Sequence, residues 1–420
     1  MNWLSISSGA FIVAFALYCV AFLFYVIAVI GKKWKNREPA AHLRKWSRIA
    51  FFFSTLGLAA HLVFFFTRWA GAGHIPTSNM YEFLTLLGMM IMIAFTILFA
   101  IYRSPLLGMF ALPLTILIIA YAAVFPQEVQ PLVPSLQSNW LRLHVTLAAL
   151  GEAFFAVGFA AGLMYLLRVT DYNDKSASAR RSRFWLEFSL YVLVVVAGFI
   201  ITVFAFRGAG YEAVFRQEEL TIDERGNERI TTETVEYQLP PIVKPTDSEV
   251  VSMQPFLGLD KPLFEAPDWM NGVNAGRKFN TVIWSILSGT ILYGLLRLIA
   301  RKPLGAVVHP LLDGIDPDDL DEISYRAIAI GFPIFTLGGL IFAMIWAEQA
   351  WGRFWGWDPK EVWALITWLF YSAYLHLRLS RGWHGLKSSW LSVIGFLIVM
   401  FTLIGVNLII AGLHSYAGVS

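Results

Sequence analysis

The segment Trp346-Ala347-Glu348-Gln349-Ala350-Trp351-Gly352-Arg353-Phe354-Trp355-Gly356-Trp357-Asp358-Pro359-Lys360-Glu361-Val362-Trp363 joins two apolar runs. Six of the sixteen tryptophans lie between Trp346 and Trp368. Tryptophan is enriched where helices leave a bilayer, so the plain reading is an interfacial aromatic belt on a membrane protein. A belt accounts less well for Gly352, Gly356, Arg353 and Asp358 interleaved with the indoles. The second reading is a ligand platform. Glycines let backbone approach a flat ligand closely, and indole faces give it an apolar bed. Arg353 can pair with a ligand carboxylate in a two-pronged fork. The segment by itself leaves both readings open.

Composition sets the class. The chain has 420 residues, is 57% hydrophobic and 15% charged, and has a mean hydropathy of +0.61. Those values are far from a soluble globular domain. Several apolar runs reach the roughly 20 residues that cross a bilayer. An all-α polytopic membrane protein is therefore expected. The net charge of +3 says little, because placement matters more than the sum in such chains, and no nucleic-acid partner is expected. The single cysteine, Cys19, excludes an internal disulfide, a CxxC redox pair, a CxxCH haem-attachment site and a cysteine zinc site.

About ten spans are expected, near 10–31, 47–67, 81–102, 104–124, 140–168, 184–207, 279–300, 323–346, 360–379 and 388–410. The first is too long, and wrongly flanked, for a cleaved signal peptide. Lys and Arg in the short links separate nineteen to five: Lys32 to Arg48, Arg103, Arg168 to Arg183, Arg297 to Lys302 and Arg378 to Lys387 on one side, Arg68, Arg142, Arg207, Arg353 and Lys360 on the other. The positive-inside rule then puts both termini and the Trp-rich segment outside. The expected organisation is an N-terminal bundle over 1–207 (about six helices), an extracytoplasmic insert over 208–278, and a C-terminal bundle over 279–420 (about four helices) carrying the Trp-rich segment 346–363.

The insert holds thirteen Asp or Glu and seven Lys or Arg. Leu220–Asp223 and Glu228–Thr231 flank Glu224-Arg-Gly-Asn, the pattern of a small β-hairpin. Leu239-Pro-Pro and Lys244-Pro read as extended chain. A docking domain and a tolerated loop insertion are both readings of it.

The histidines divide by position. His144 stands at the outer end of the fifth expected span, and His414 follows the outer end of the last. Both fall on the face of the Trp-rich link. Two imidazoles beside an aromatic, glycine-punctuated platform are what a planar iron macrocycle needs; each by itself also reads as an interfacial hydrogen-bonding histidine. His376 lies sixteen residues into the ninth span, ~24 Å below its outer end at 1.5 Å per residue. A histidine inside a span is a functional-site hypothesis, or a hydrogen bond to a neighbouring helix. His61, in the second span, has the same two readings. His42, His309 and His384 lie among inner-loop charges. Glu152 is eight residues beyond His144, on roughly the same helix face.

At these residues the sequence resembles a known family. Trp351-Gly-Arg-Phe-Trp-Gly-Trp-Asp matches the WGxxWxWD signature (the WWD domain) of the haem-handling protein superfamily. Ser324-Tyr-Arg-Ala-Ile-Ala-Ile-Gly-Phe-Pro, Asp358-Pro-Lys-Glu-Val-Trp, Tyr374-Leu-His-Leu-Arg, Gly405-Val-Asn…Gly-Leu-His-Ser-Tyr and Asn139-Trp-Leu-Arg-Leu-His-Val resemble its CcsA/ResC branch, System II of cytochrome c maturation. The match is specific over 136–168 and 323–417 and weaker at Ser78-Asn-Met-Tyr-Glu; the insert departs from the compact form of the family.

The resemblance implies a ResB/CcsB-type membrane partner, with which haem b crosses the membrane and is attached outside to the CxxCH thiols of apocytochrome c. It implies a component of a haem lyase or synthase complex, served indirectly by thiol-reducing thioredoxin-like proteins. It implies that His144 and His414 hold haem iron, and that His376 is the intramembrane ligand, its co-ligand coming from the partner. The platform residues are Trp351, Gly352, Arg353, Phe354, Trp355, Gly356, Trp357 and Asp358. Arg353, then Lys360, are the candidates for a propionate, and Asp358 with Pro359 reads as the start of the ninth helix. The membrane is expected to be the plasma membrane of a bacterium or a thylakoid-type membrane. Two other classes remain: a transporter of another substrate, which should show inverted repeats and broken spans, and a haem-containing electron-transfer subunit, which should pair histidines at matched depth.

Overall fold

The computed structural model describes residues 2–31, 38–103, 107–129, 137–222, 228–245, 248–266 and 275–406. His414 therefore lies outside the described residues. The helices are α1 (Trp3–Ile30), α2 (Pro39–Ala72), α3 (Met80–Tyr102), α4 (Leu107–Ala122), α5 (Asn139–Val169), α6 (Ala177–Gly208), α7 (Ala275–Ala300), α8 (Leu304–Val308), α9 (Pro317–Phe335), α10 (Ala343–Trp351), α11 (Pro359–Arg381) and α12 (Leu386–Met400). π-helical turns, Thr336–Phe342 and Phe401–Gly405, join α9 to α10 and extend α12.

Within the described residues, each expected run falls on a helix. Among those residues eight helices are long and apolar enough to cross a membrane, the stretch from α9 through α10 counting as one, and α4 is a shorter apolar one. α11 has 23 residues but is built inside out. Its buried stripe is Thr367, Tyr371, Tyr374 and Arg378, while Leu369 and Leu379 are exposed. The stripe follows the helical period, and its polarity, with Lys360, Glu361 and Arg381, lowers the mean hydropathy of a helix that hides polar groups from lipid.

The chain forms two compact units, Met1–Glu187 with Pro303–Val419, and Phe188–Lys302. In the first, α5 is the central helix, buried without a break from Gly151 to Met164. It packs on α3, α9 and α12. The α5–α9 seam is made close by glycine. A Cβ on Gly151 would stand 2.7 Å from Phe335 N, and one on Gly331 would stand 2.9 Å from Gly151 O. Ser324 Oγ donates across the seam to Gly158 O at 2.8 Å. Small residues and hydroxyls are what draw helices together where lipid offers no hydrophobic gain.

Two buried ion pairs fix the ends of this unit. Arg68 Nε donates to Glu82 Oε1 at 2.7 Å, and its Nη2 to Gln127 O at 2.9 Å. Ser78 N and Oγ both donate to Glu82 Oε2. Elsewhere Arg378 Nη1 meets both oxygens of Asp321 at 2.8 Å and Ser388 Oγ at 3.0 Å. His61 is fully buried, with Tyr18 Oη 3.3 Å from its Nδ1.

In the second unit, β1 (Ala213–Ile222) and β2 (Glu228–Tyr237) form an antiparallel hairpin. This is the hairpin expected in the insert, with longer strands. β3 (Val243–Lys244), β4 (Ser248–Met253) and β5 (Phe264–Glu265) complete two small sheets, ordered β2-β1-β4 and β3-β5. Tyr211, Ala213, Phe215 and Tyr237 make their core.

Candidate functional site

A cleft of about 210 Å³ opens in the first unit. α5 contributes His144, Ala148 and Glu152 to its wall, and α10 with the link after it contributes Trp346, Trp351, Phe354 and Trp355. Lys360 and Glu361 enter from the start of α11, and Thr77 to Met80 with Phe83 from the start of α3.

His144 is held from the π-helical turn. Its Nδ1 lies 2.9 Å from Gly338 O. A carbonyl only accepts, so Nδ1 bears a hydrogen, and in the neutral form of the ring the lone pair is on Nε2. Gly338 comes this close because it has no side chain: a Cβ would stand 2.4 Å from Ala148 N. π-helical turns shift the backbone ladder and recur at functional sites. The ring of Trp346 runs parallel to the imidazole, 10° between planes and 6.1 Å between centroids, and Trp351 sits edge-on to Trp346 at 4.8 Å. Ser138 Oγ, the N-cap of α5, donates to Gln349 Oε1 at 2.6 Å, tying the start of α5 to α10.

The link itself is built by capping. Gly352, at φ 68°, closes α10, its N–H bonding Glu348 O at 2.8 Å. Asp358 accepts from Lys360 N at 3.0 Å, while Glu361 Oε2 accepts from Gly356 N at 2.7 Å and Asp358 N at 3.2 Å. This capping box holds Trp357 at φ 58°, a strained value for a bulky residue that persists only when neighbours fix it. Asp358 is buried as the cap of α11, the role its Asp-Pro pair announces.

The platform residues thus divide. Trp351, Phe354 and Trp355 line the cleft with His144; Gly352, Arg353, Gly356, Trp357 and Asp358 do not. Phe354 and Trp357 are 60% and 69% exposed. The exposed Arg353 folds back over Gly356, where a Cβ would meet its guanidinium at 2.6 Å. Lys360, the second candidate for a carboxylate, is the cation on the wall. His376 lies exposed on α11, away from the cleft. Two buried atoms of the cleft have no hydrogen-bond partner among the described residues, Glu152 Oε2 and Trp355 Nε1.

Sequence reasoning missed the wall made by the start of α3. Its signal was present: Asn79-Met-Tyr-Glu82 is a capping pattern before an apolar run, and Asn79 Oδ1 accepts from Glu82 N at 2.9 Å. The Gly338 carbonyl had no sequence signal, because only the fold brings it to a residue 194 positions away.

The fold and the cleft define a class: a polytopic helical membrane protein whose α5 histidine faces a tryptophan-lined cavity. Residues 77–212 and 281–414 match the family described as Cytochrome C assembly protein. The chain is 33% identical over 353 residues to a cytochrome c biogenesis protein CcsA of Microcystis aeruginosa, covering 83% of this chain and 81% of that one. It is 30% identical to that of Nostoc punctiforme (83% and 82% covered), and 29% identical to that of Gloeobacter violaceus over 98% of this chain and 94% of that one. The chain belongs to the cytochrome c assembly family as a CcsA-type protein, and its place is in cytochrome c maturation.

Proposed function

We propose that the chain handles haem b as a substrate during cytochrome c maturation. With a ResB/CcsB-type membrane partner it moves haem across the membrane and presents it outside to the CxxCH of apocytochrome c. There each thiol adds across a haem vinyl group, its sulfur to one carbon and its proton to the other, so the reaction needs orientation more than a covalent catalyst. The chain acts as a component of the ligating complex, in a bacterial plasma membrane or a thylakoid-type membrane, with both termini and the Trp-rich link on the outer side. Thioredoxin-like proteins keep the acceptor thiols reduced.

The observation that carries this reading is His144 on the wall of a tryptophan-lined cleft, its Nδ1 tied to Gly338 O and its lone pair thereby placed on Nε2. A neutral imidazole so oriented would hold haem iron through Nε2. His414 supplies the opposite ligand in this proposal. The cleft, at about 210 Å³, is smaller than the roughly 300–1,000 Å³ of sites that enclose a ligand. It would hold haem by part of its face and leave an edge for the thiols. Lys360 is placed to meet a propionate. His376, exposed on an apolar helix face, needs a second ligand from another chain, which supports the membrane partner.

The test is the visible spectrum of the purified chain beside His144→Ala and His414→Ala. A low-spin bis-imidazole haem in wild type, lost in each variant and restored by added imidazole, supports the proposal. Three identical haem-free spectra after haem feeding, both for the chain and for the co-expressed pair, overturn it.

A further inference from the structure

The second unit carries an apolar edge that its own fold does not use. Phe256 and Leu259 close a two-residue turn, with N–H···O bonds of 3.0 and 2.9 Å in the two directions. The residues between them, Leu257 and Gly258, have φ values of 50° and 82°. Glycine adopts this region freely; leucine does so against the clash of its Cβ. Leu257 is also 88% exposed. It therefore accepts a strained backbone and gains no burial within the described residues. Nearby, Leu263 and Phe264 are 54% and 65% exposed.

The height of this edge is set by contacts within the unit. Phe256 packs on Phe206 and Trp284, with ring centroids 5.1 and 5.7 Å apart. Phe206 lies two residues before the end of α6. Trp284 Nε1 donates to Pro240 O at 2.8 Å, and Asn280 Oδ1 accepts from Ile242 N and Val243 N at 2.8 and 2.9 Å. Leu263 N and Phe264 N both donate to Ile242 O, and β5 runs beside β3. Leu257, Leu263 and Phe264 are thus tied to one stretch of α7, Asn280 to Trp284. Arg277 and Lys278 precede that stretch, and no charged residue follows it until Arg297. This is the level at which the sequence of α7 passes from charged to uncharged and apolar residues, as a helix does where it enters a bilayer.

From these contacts we propose that the insert stands on the bilayer, with Leu257, Leu263 and Phe264 seated in the headgroup–acyl boundary of the leaflet on its own side. Lipid is the occupant because the edge continues the surface of the two spans beside it, where Ile201, Phe204, Ile286 and Leu287 are exposed. Asp260 and Lys261, exposed just beyond the turn, form the polar rim of such a seat, and the lysine stem reaches outward to headgroups.

The test uses the full chain in lipid nanodiscs, with Cys19→Ser and one new cysteine carrying a nitroxide. Labels at Leu257→Cys and Phe264→Cys are compared with one at Glu249→Cys, exposed on β4. Oxygen concentrates in lipid and a nickel chelate in water. The expected result is that the first two labels relax severalfold more with oxygen than with nickel, and the third the reverse. Greater nickel access at 257 and 264 overturns the proposal, as does shielding from both reagents, which would mean that protein covers the edge.

Discussion

The Nδ1 of His144 lies 2.9 Å from the carbonyl oxygen of Gly338. The bond joins α5 to a π-helical turn and decides which imidazole nitrogen can meet a metal. Close backbone packing makes it possible, so the site depends on a residue with no side chain. Gly338→Ala puts a methyl group 2.4 Å from Ala148 N. Neither backbone gives way cheaply, and overpacking of this kind costs about 1–3 kcal/mol. The expected outcome is a lower melting temperature together with weaker haem retention. Thermal unfolding and haem titration of the purified variant check both. Wild-type haem affinity in a folded Gly338→Ala would show that the tether does not orient the ring.

Asp358 separates capping from ligand contact. As the cap of α11 it accepts from Lys360 N, and asparagine can do the same. Asp358→Asn should therefore melt within about 0.5 kcal/mol of wild type, whereas Asp358→Ala should lose about 1 kcal/mol. Haem retention should follow the same order. Equal loss of haem in both variants would instead mean that the carboxylate charge touches the ligand.

The Arg68–Glu82 pair holds the start of α3 against the cleft, since Glu82 also accepts from Ser78 N and Oγ. Both side chains are buried, and removing one partner strands the other. Arg68→Met or Glu82→Gln should each cost about 3–5 kcal/mol, and the double variant less than the sum. A double-mutant cycle by chemical denaturation in detergent checks this. Simple additivity would mean that the two groups do not stabilise each other.

How much of this was legible before the structure follows from where each signal resides. The spans declare themselves locally, since a run that crosses lipid must be apolar along its own length. α11 is the instructive exception: it hides Tyr371, Tyr374 and Arg378 inward, and inside-out polarity resembles an ordinary polar segment to any average. The cap at Asp358 could be read because sequence neighbours set it. The division of the platform could not: whether Trp355 or Trp357 turns inward depends on a strained φ at Trp357 and on Glu361 accepting two backbone N–H groups. Gly338 and the α3 wall required the tertiary seam.

His376 is exposed on the outward face of α11, so its ring does little for the chain's own packing. His376→Ala should leave the unfolding midpoint of the isolated chain within about 0.5 kcal/mol of wild type, as surface changes usually do. In the haem-handling reading, the same variant co-purified with a ResB/CcsB-type partner should retain less haem than wild type. A large destabilisation of the isolated chain would make His376 a packing residue and remove it from the pathway.

Glu152 stands two turns below His144, 5% exposed, with Oε2 unpartnered among the described residues. An unsatisfied buried polar group costs about 1–3 kcal/mol. Replacing it with a carbon side chain of similar volume should therefore raise the stability of the haem-free chain by a comparable amount. Evolution tolerates such a group where a ligand completes it. In the haem-handling reading, the carboxyl meets the polar rim of the macrocycle from the floor of the cleft. Glu152→Leu should then bind haem more weakly although it melts higher, and Glu152→Gln, which keeps a hydrogen-bonding head, should fall between. Haem titration and thermal unfolding on the same three preparations separate the two roles. A Glu152→Leu protein that melts lower and binds haem normally would show that the carboxyl serves the fold and not the ligand.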